Sequence, residues 1–264
     1  MPLPVRIRPR LWAIGLAAAV AACAAGTPAS APALSAEADV LLHGHPLTLH
    51  LTLTPQHPTS PLILYATGDG GWQGSDKDLF DEMARWGYPV AGFSASDYVH
   101  HLGEGVEALP VADAAEDYSH MIRTAADALN LPDDTRVVLV GYSRGAGLDV
   151  AVAGQPEIRA RLDGVIAIAL TREEEYLQTL AADGGMTMLL TYPALAPIGD
   201  GVRVAVIQST HDDYVPAAEA RALFGPDTPS RTLRPIESTD HTFDGAIATL
   251  HREMANCFEW ILHH

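Results

Sequence analysis

The run Val137-Val138-Leu139-Val140 passes directly into Gly141-Tyr142-Ser143-Arg144-Gly145-Ala146-Gly147, after which a helical pattern begins. A β-branched run that turns straight into a helix needs a bend too sharp for ordinary side chains, and the flanking glycines supply it. The rest of the chain keeps the same rhythm. Strands are expected at 62–67, 89–94, 136–140, 164–170, 202–209 and 231–236, and helices at 78–86, 111–129, 145–153, 217–224 and 243–262. Repeated β-α units imply a mostly parallel central sheet with helices on both faces. In such sheets function collects at the carboxyl ends of the strands.

Upstream, Val40-Leu41-Leu42 and the alternating run Leu47 to Leu53 flank a His-Gly-His-Pro turn, which reads as an antiparallel hairpin at the sheet edge. One segment breaks the rhythm. Residues 171–200 are about twice the length of a usual crossover and carry Glu173-Glu174-Glu175, a Gly-Gly pair and two prolines, so a small cap or lid is expected there.

The N-terminus speaks to compartment. Arg6, Arg8 and Arg10 precede an apolar core from Leu11 to Val20, and Val20-Ala21-Ala22-Cys23 closes it with small residues before a cysteine. This is the pattern of a bacterial secretion signal, and "VAAC" resembles a lipobox. The expected organisation is a signal peptide over 1–22, a lipidated Cys23 with a flexible Ala/Pro/Ser/Thr tether over 23–37, and one domain over 38–264. The location that follows is the periplasm, with the protein held to a bacterial membrane by its lipid. Cys257, the other cysteine, recurs at helical spacing with Leu250, Met254, Phe258 and Ile261 and reads as core.

A formal net charge of −17 argues against nucleic acid as a partner, because a phosphate backbone is bound by clustered Lys and Arg. The same acidity disfavours attraction to anionic headgroups, so the anchor rather than charge must hold the protein at a membrane. No histidine has metal-ligand spacing with a nearby carboxylate cluster: His43, His45 and the pair His100-His101 stand apart from one. Neither a metal nor a cofactor is expected.

The segment 141–145 is G-x-S-x-G between strand and helix, the geometry that exposes a nucleophilic serine. A serine hydroxyl needs a base, and the base an orienting acid. Both follow in chain order, each after a late strand. The acid lies in Ser209-Thr210-His211-Asp212-Asp213-Tyr214-Val215-Pro216, and the base, His241, lies in Ser238-Thr239-Asp240-His241-Thr242-Phe243. Asp212 is preferred because it stands four residues before Pro216, with Asp213 the alternative; His211 sits in the wrong loop for the base. Taken singly, Ser143 could be a turn serine, Asp212 a turn former and His241 a cap partner of the last helix.

The loop Ala66-Thr67-Gly68-Asp69-Gly70-Gly71-Trp72 follows an early strand. It lacks both the P-loop and the dinucleotide glycine patterns. Its place is that of the second half of an oxyanion hole, with N–H donors from Asp69 and Gly70 joining that of Arg144. Asp69, Trp72 and Arg144 are also candidates for binding substrate. The Asp69 carboxylate is expected to point away from the oxyanion, to cap a turn or to meet a substrate amine; Arg144 has a choice between a lipid phosphate and a neighbouring acid.

With these residues in place the chain resembles an α/β-hydrolase over nearly all of its length after the tether. Within that superfamily "GDGGW" at 68–72, "DK" at Asp76-Lys77, "GYSRGA" at 141–146 and "HTFDG" at 241–245 are similar to the VirJ/AcvB group of periplasmic bacterial hydrolases. The resemblance implies removal of the aminoacyl group, notably lysyl, from aminoacylated phosphatidylglycerol, together with virulence and secretion-system partners. It departs from the group at Arg144, where an aromatic is usual, and at "TREEEYLQ" from Thr171. Two readings compete with the esterase: a non-catalytic binding or secretion-assembly lipoprotein on the same fold, and an esterase for a soluble ester or thioester.

Overall fold

A computed structural model describes residues 34–53, 61–100, 108–181 and 184–263. The expected signal peptide and Cys23 lie outside these residues, as does most of the expected tether. Its last residues do not: β1 (Leu34–Leu42) already includes positions 34–37 and pairs antiparallel with β2 (His45–Leu53), from Leu34 opposite Leu53 to Leu42 opposite His45.

The chain then alternates: β3 (Leu62–Ala66), α1 (Gly74–Arg85), β4 (Val90–Phe93), α2 (Ala95–His100), β5 (Leu109–Pro110), α3 (Val111–Leu129), β6 (Val137–Tyr142) and α4 (Arg144–Ala153). After the short α5 (Pro156–Arg159) come β7 (Leu162–Ile168), β8 (Glu173–Leu180), β9 (Met186–Leu190), α6 (Thr191–Ala194), β10 (Arg203–Ser209), α7 (Ala217–Phe224), β11 (Arg231–Ile236) and α8 (Ile247–His263). Eight strands form one sheet in the order β1-β2-β4-β3-β6-β7-β10-β11, and β2 alone runs against the others.

Alternation along the central strands divides the core in two. Leu62, Leu64, Val137, Leu139, Val165, Val204 and Val206 face one side, with Tyr118, Met121 and Ile122 of α3 and Leu148 and Val152 of α4. Ile63, Tyr65, Val138, Val140, Ile166, Ile168 and Ile207 face the other, with Leu79, Phe80 and Met83 of α1 and Leu250, Met254, Cys257 and Phe258 of α8. Strands buried on both faces in this way read as continuous apolar runs, which is why they were visible in the sequence. Burial in this second layer pushes the Cys257 thiol up to about 12, consistent with a packing role.

Boundaries shift where a polar group captures the backbone. The last helix was expected from Phe243 and begins at Ile247, because the Asp240 carboxylate accepts the N–H groups of Thr242 and Asp244 and folds residues 240–246 into a turn, with Phe243 at φ 57°. At the other end of the domain α1 begins at Gly74 rather than Asp78. Strand β7 stops at Ile168 because Ala169 takes φ 53°.

The expected cap over 171–200 is a hairpin of β8 and β9 that pairs through β8 with β5 in a separate three-stranded sheet, followed by α6 and a short 3₁₀ turn at Ala196–Ile198. Leu177 and Leu189 of this sheet join the core beside α3 and α4.

Candidate active site

The bend after β6 is as sharp as the sequence requires. Ser143 holds φ 52° and ψ −111°, a conformation that costs a non-glycine residue about 1–3 kcal/mol. Its N–H donates to Ile168 O at 2.8 Å, and Gly145 N–H donates to Thr67 O at 3.1 Å, so the bend is held from both neighbouring strands. Both outer glycines are obligatory: a Cβ on Gly141 would come within 2.4 Å of the Gly145 backbone, and one on Gly145 within 2.2 Å of Ala66 O.

Two loops at the carboxyl ends of β10 and β11 deliver the partners. His241 Nε2 stands 2.8 Å from Ser143 Oγ, and His241 Nδ1 stands 2.7 Å from Asp212 Oδ2. Asp212 has no exposed side-chain surface. Its Oδ1 accepts the N–H groups of Tyr214 (2.8 Å) and Val215 (3.1 Å), and its Oδ2 accepts from Gln208 Nε2 at 3.0 Å. Those donors fix the carboxylate in place, with Oδ2 aimed at the imidazole. Asp213, the alternative acid, is exposed. His241 is positioned from two more sides: Tyr142 Oη–H donates to its carbonyl at 2.9 Å, and the Tyr214 ring meets it edge-on at 4.7 Å.

The glycine loop lies against the nucleophile, since a Cβ on Gly68 would sit 3.6 Å from Ser143 Cβ. Within the loop, Gly68 N–H donates to Asp76 Oδ1 and Gly71 N–H to Gly68 O. The N–H groups of Asp69 and Gly70 make no hydrogen bond to the described residues, and Arg144 N–H, at the first position of α4, has no acceptor one turn back. All three are therefore open to an acceptor other than the described residues. Asp76, in sequence only a motif residue with no assigned role, anchors this loop. Buried on the first turn of α1, it receives Gly68 N–H and Tyr65 Oη–H, each at 2.8 Å, and burial raises its carboxyl above the ordinary range against the pull of those two donors.

Trp72, a candidate for binding substrate, packs against its own fold. Its ring stacks on His50 at 3.9 Å, meets Phe80 edge-on at 4.8 Å and covers Gly92, where a Cβ would come within 2.7 Å. It pins the end of the loop to β2 and β4.

Arg144 turns to acids. Its guanidinium pairs with Asp69, lies 3.0 Å from Glu174 and 3.1 Å from Glu175, and sits 4.4 Å over the Tyr176 ring. Asp69 therefore caps no helix; its side chain is two-thirds exposed, as is that of Glu175, whereas Glu174 is buried. The space for Glu174 exists because Gly147 has no side chain, a Cβ there lying 3.1 Å from Glu174 Oε2.

Burial pushes the Glu174 carboxyl up to about 7, against the pull of Arg144. A folded-state value above the unfolded 4.5 means that the associated stability is present below pH 4.5 and is lost as the pH rises through about 7. Glu174→Gln is accordingly expected to flatten the decline in melting temperature between pH 5 and pH 8, a difference of up to about 3 kcal/mol. Parallel melts of the two proteins across that range check it, and identical slopes would refute it.

No group of three or more His, Cys, Asp or Glu among the described residues is arranged to hold a metal ion. The arrangement present is a relay of carboxylate, imidazole and hydroxyl, the kind of group set that acyl transfer uses.

Comparison with known proteins agrees with the fold. The structure resembles Est1E from Butyrivibrio proteoclasticus (TM-score 0.60, 15% identity, covering 85% of this chain and 98% of that one). It also resembles the esterase domain of a Rhodothermus marinus protein (TM-score 0.57, 16% identity, 87% and 97% covered). The 2,6-dihydroxy-pseudo-oxynicotine hydrolase is similar over 86% of this chain and 68% of that one (TM-score 0.59, 15% identity). At such identities the likeness establishes an α/β-hydrolase fold. No curated protein matches the chain. The family described as "Bacterial virulence protein (VirJ)" matches residues 61–259, which span the glycine loop, the serine turn and both late loops, and the chain belongs to that family.

Proposed function

We propose that the protein is a serine hydrolase that cleaves a carboxylic ester through an acyl-enzyme, and that its ester is the aminoacyl ester of an aminoacylated phosphatidylglycerol. The observation that carries the chemistry is the unbroken relay from Asp212 through His241 to Ser143, at 2.7 and 2.8 Å. Ser143 Oγ attacks the ester carbonyl carbon while its proton passes to His241 Nε2. Asp212 keeps the Nδ1 proton in place and stabilises the imidazolium. The carbonyl oxygen, now negative, takes the N–H groups of Arg144 and of Asp69 or Gly70. The bond to the lipid glycerol oxygen then breaks, that oxygen receives the proton from His241, and water repeats the sequence on the acyl-enzyme to release the amino acid.

The substrate class is supported by charge and by the family. Three carboxylates, Asp69, Glu174 and Glu175, surround the single guanidinium of Arg144 beside the nucleophile. The surplus negative charge suits the ammonium groups of an aminoacyl ester. A lipid anchor on Cys23 in the periplasm would keep the enzyme beside such a lipid.

Activity-based labelling followed by product analysis tests both halves. A fluorophosphonate is expected to label the wild type and not Ser143→Ala; a folded wild type that stays unlabelled moves the reading to a non-catalytic binding or assembly lipoprotein. Turnover of lysyl-phosphatidylglycerol should exceed that of a short-chain neutral ester. Asp69→Ala should lower kcat/KM for the lysyl substrate about tenfold more than for the neutral one, by the loss of one ion pair near the surface. Equal losses on both substrates would remove amine recognition from the proposal, and preference for a soluble ester or thioester would remove the lipid.

A further inference from the structure

The site accounts for the root of the β8–β9 hairpin, where Glu174 and Glu175 meet Arg144, and leaves the rest of the hairpin unexplained. Its outer surface is apolar. Met186, Met188 and Leu190 alternate along β9 and so share a face, with relative exposures of 50%, 42% and 49%. Leu180, 72% exposed, pairs directly with Met186 and lies on the same face. Beside this strip is a groove of about 390 Å³ lined by Val111, Ala151, Met188, Leu190, Pro193 and Pro197 among others.

Charge separates this surface from the remainder of the protein. Between Tyr176 and Gly199 the sequence has one charged residue, Asp183, in a chain with a net charge of −17. An acidic protein is repelled by anionic headgroups, so any contact with a bilayer must come through an uncharged, apolar surface. Contiguous exposed apolar side chains mark sites of contact with membranes or proteins. The chain itself favours the membrane: ten residues separate Cys23 from Leu34. Fully extended, that segment reaches about 40 Å, so a lipid on Cys23 would hold the domain within contact range without fixing its orientation.

We infer that the β8–β9 hairpin is a membrane-docking element that seats Leu180, Met186, Met188 and Leu190 among the lipid tails and thereby turns the mouth of the serine site toward the bilayer. The inference rests on the lipid-esterase reading for its purpose, and its geometry follows from the hairpin. Leu190 pairs with Glu173 next to the site, and Leu180, opposite Met186, lies about 13 Å farther along β9, four residues on. A docked hairpin therefore leaves a lipid headgroup within reach of Ser143. Unbranched Met and Leu side chains conform readily to disordered acyl chains.

The test uses the full chain with Met186→Cys carrying an environment-sensitive fluorophore, reconstituted in phosphatidylcholine vesicles, with the wild type treated identically as background. Emission is expected to shift to the blue and to be quenched by nitroxides on the lipid tails, while the same label on Arg85→Cys, on α1, stays aqueous. A Met186 label that remains in water on the vesicles overturns the proposal. So does a label that is buried without vesicles in a protein of doubled mass, which would assign the strip to a second copy. The double variant Met186→Glu/Met188→Glu should turn over vesicle-borne aminoacyl lipid roughly tenfold more slowly, yet hydrolyse a soluble short-chain ester and take up fluorophosphonate as the wild type does. Its melting temperature controls for folding. Loss of fluorophosphonate labelling in the wild type would defeat the esterase reading alone, since the depth measurement needs no catalysis.

Discussion

Asp212→Asn is expected to lower kcat for any carboxylic ester by about four orders of magnitude, whereas Asp213→Asn changes it by less than about threefold. The two residues are neighbours in sequence, and the contrast comes from where their carboxylates go. Asp212 is buried, is held by two backbone N–H groups and Gln208, and faces His241 Nδ1 at 2.7 Å; Asp213 is exposed. An amide at position 212 can present its NH₂ to Nδ1, which then becomes the acceptor and places the ring proton on Nε2, where it blocks removal of the Ser143 proton. Steady-state kinetics on a short-chain ester decide it, with circular dichroism to show that both variants fold. Comparable losses in the two variants would reassign the acid.

The second large effect is expected at Asp76, which touches neither nucleophile nor base. Asp76→Ala leaves Gly68 N–H and Tyr65 Oη–H buried without an acceptor, a loss of roughly 2–5 kcal/mol for the pair. It also frees the loop whose next two N–H groups are the oxyanion donors of the proposed mechanism. A misplaced oxyanion donor typically lowers kcat about 100-fold or more, with KM little changed. Asp76→Asn keeps an acceptor oxygen for Gly68 N–H and should recover most of both losses. Urea denaturation and a kcat-against-KM comparison separate the two roles. If Asp76→Ala is destabilised while its kcat is intact, the glycine loop is not part of the oxyanion hole.

Much of the fold was legible because its signals are local. The β-branched runs that form β3, β6, β7 and β10 are buried on both faces and stand out from the amphipathic helices between them. Helices α3 and α7 begin and end where their periodicity does, at Val111–Leu129 and Ala217–Phe224. The segment after Leu170 was legible only as an interruption. Its first strand, β8, pairs with β5 across 68 positions, and no local pattern announces a partner so remote.

The candidate site divides in the same way. Ser143, Asp212 and His241 each follow a strand in a recognisable turn, so their order along the chain suffices to nominate them. Asp76 could have been found from the polar first turn of an otherwise amphipathic helix, although nothing local shows that its carboxylate points inward to Gly68. Glu174 is one of three adjacent glutamates; the alternation of β8 turns it inward between exposed neighbours, and the absence of a side chain at Gly147 leaves it room. Trp72 is a substrate-binding candidate at the end of the loop, and its stacking on His50, which comes from the N-terminal hairpin, is not visible in the local sequence.

What the sequence by itself determined is the kind of protein this is: a mostly parallel sheet with a sharp serine turn, and an acid and a histidine after later strands. Those features depend on backbone sterics, side-chain periodicity and turn chemistry, all of which act over a few residues. Only the tertiary structure decided that His241 reaches Ser143 across 98 positions and Asp212 across 29, that Asp213 does not, and that Arg144 is claimed by three acids. The physical reason is that hydrogen bonds and ion pairs act over a few ångströms, while the lateral order of parallel strands sets which distant loops come that close.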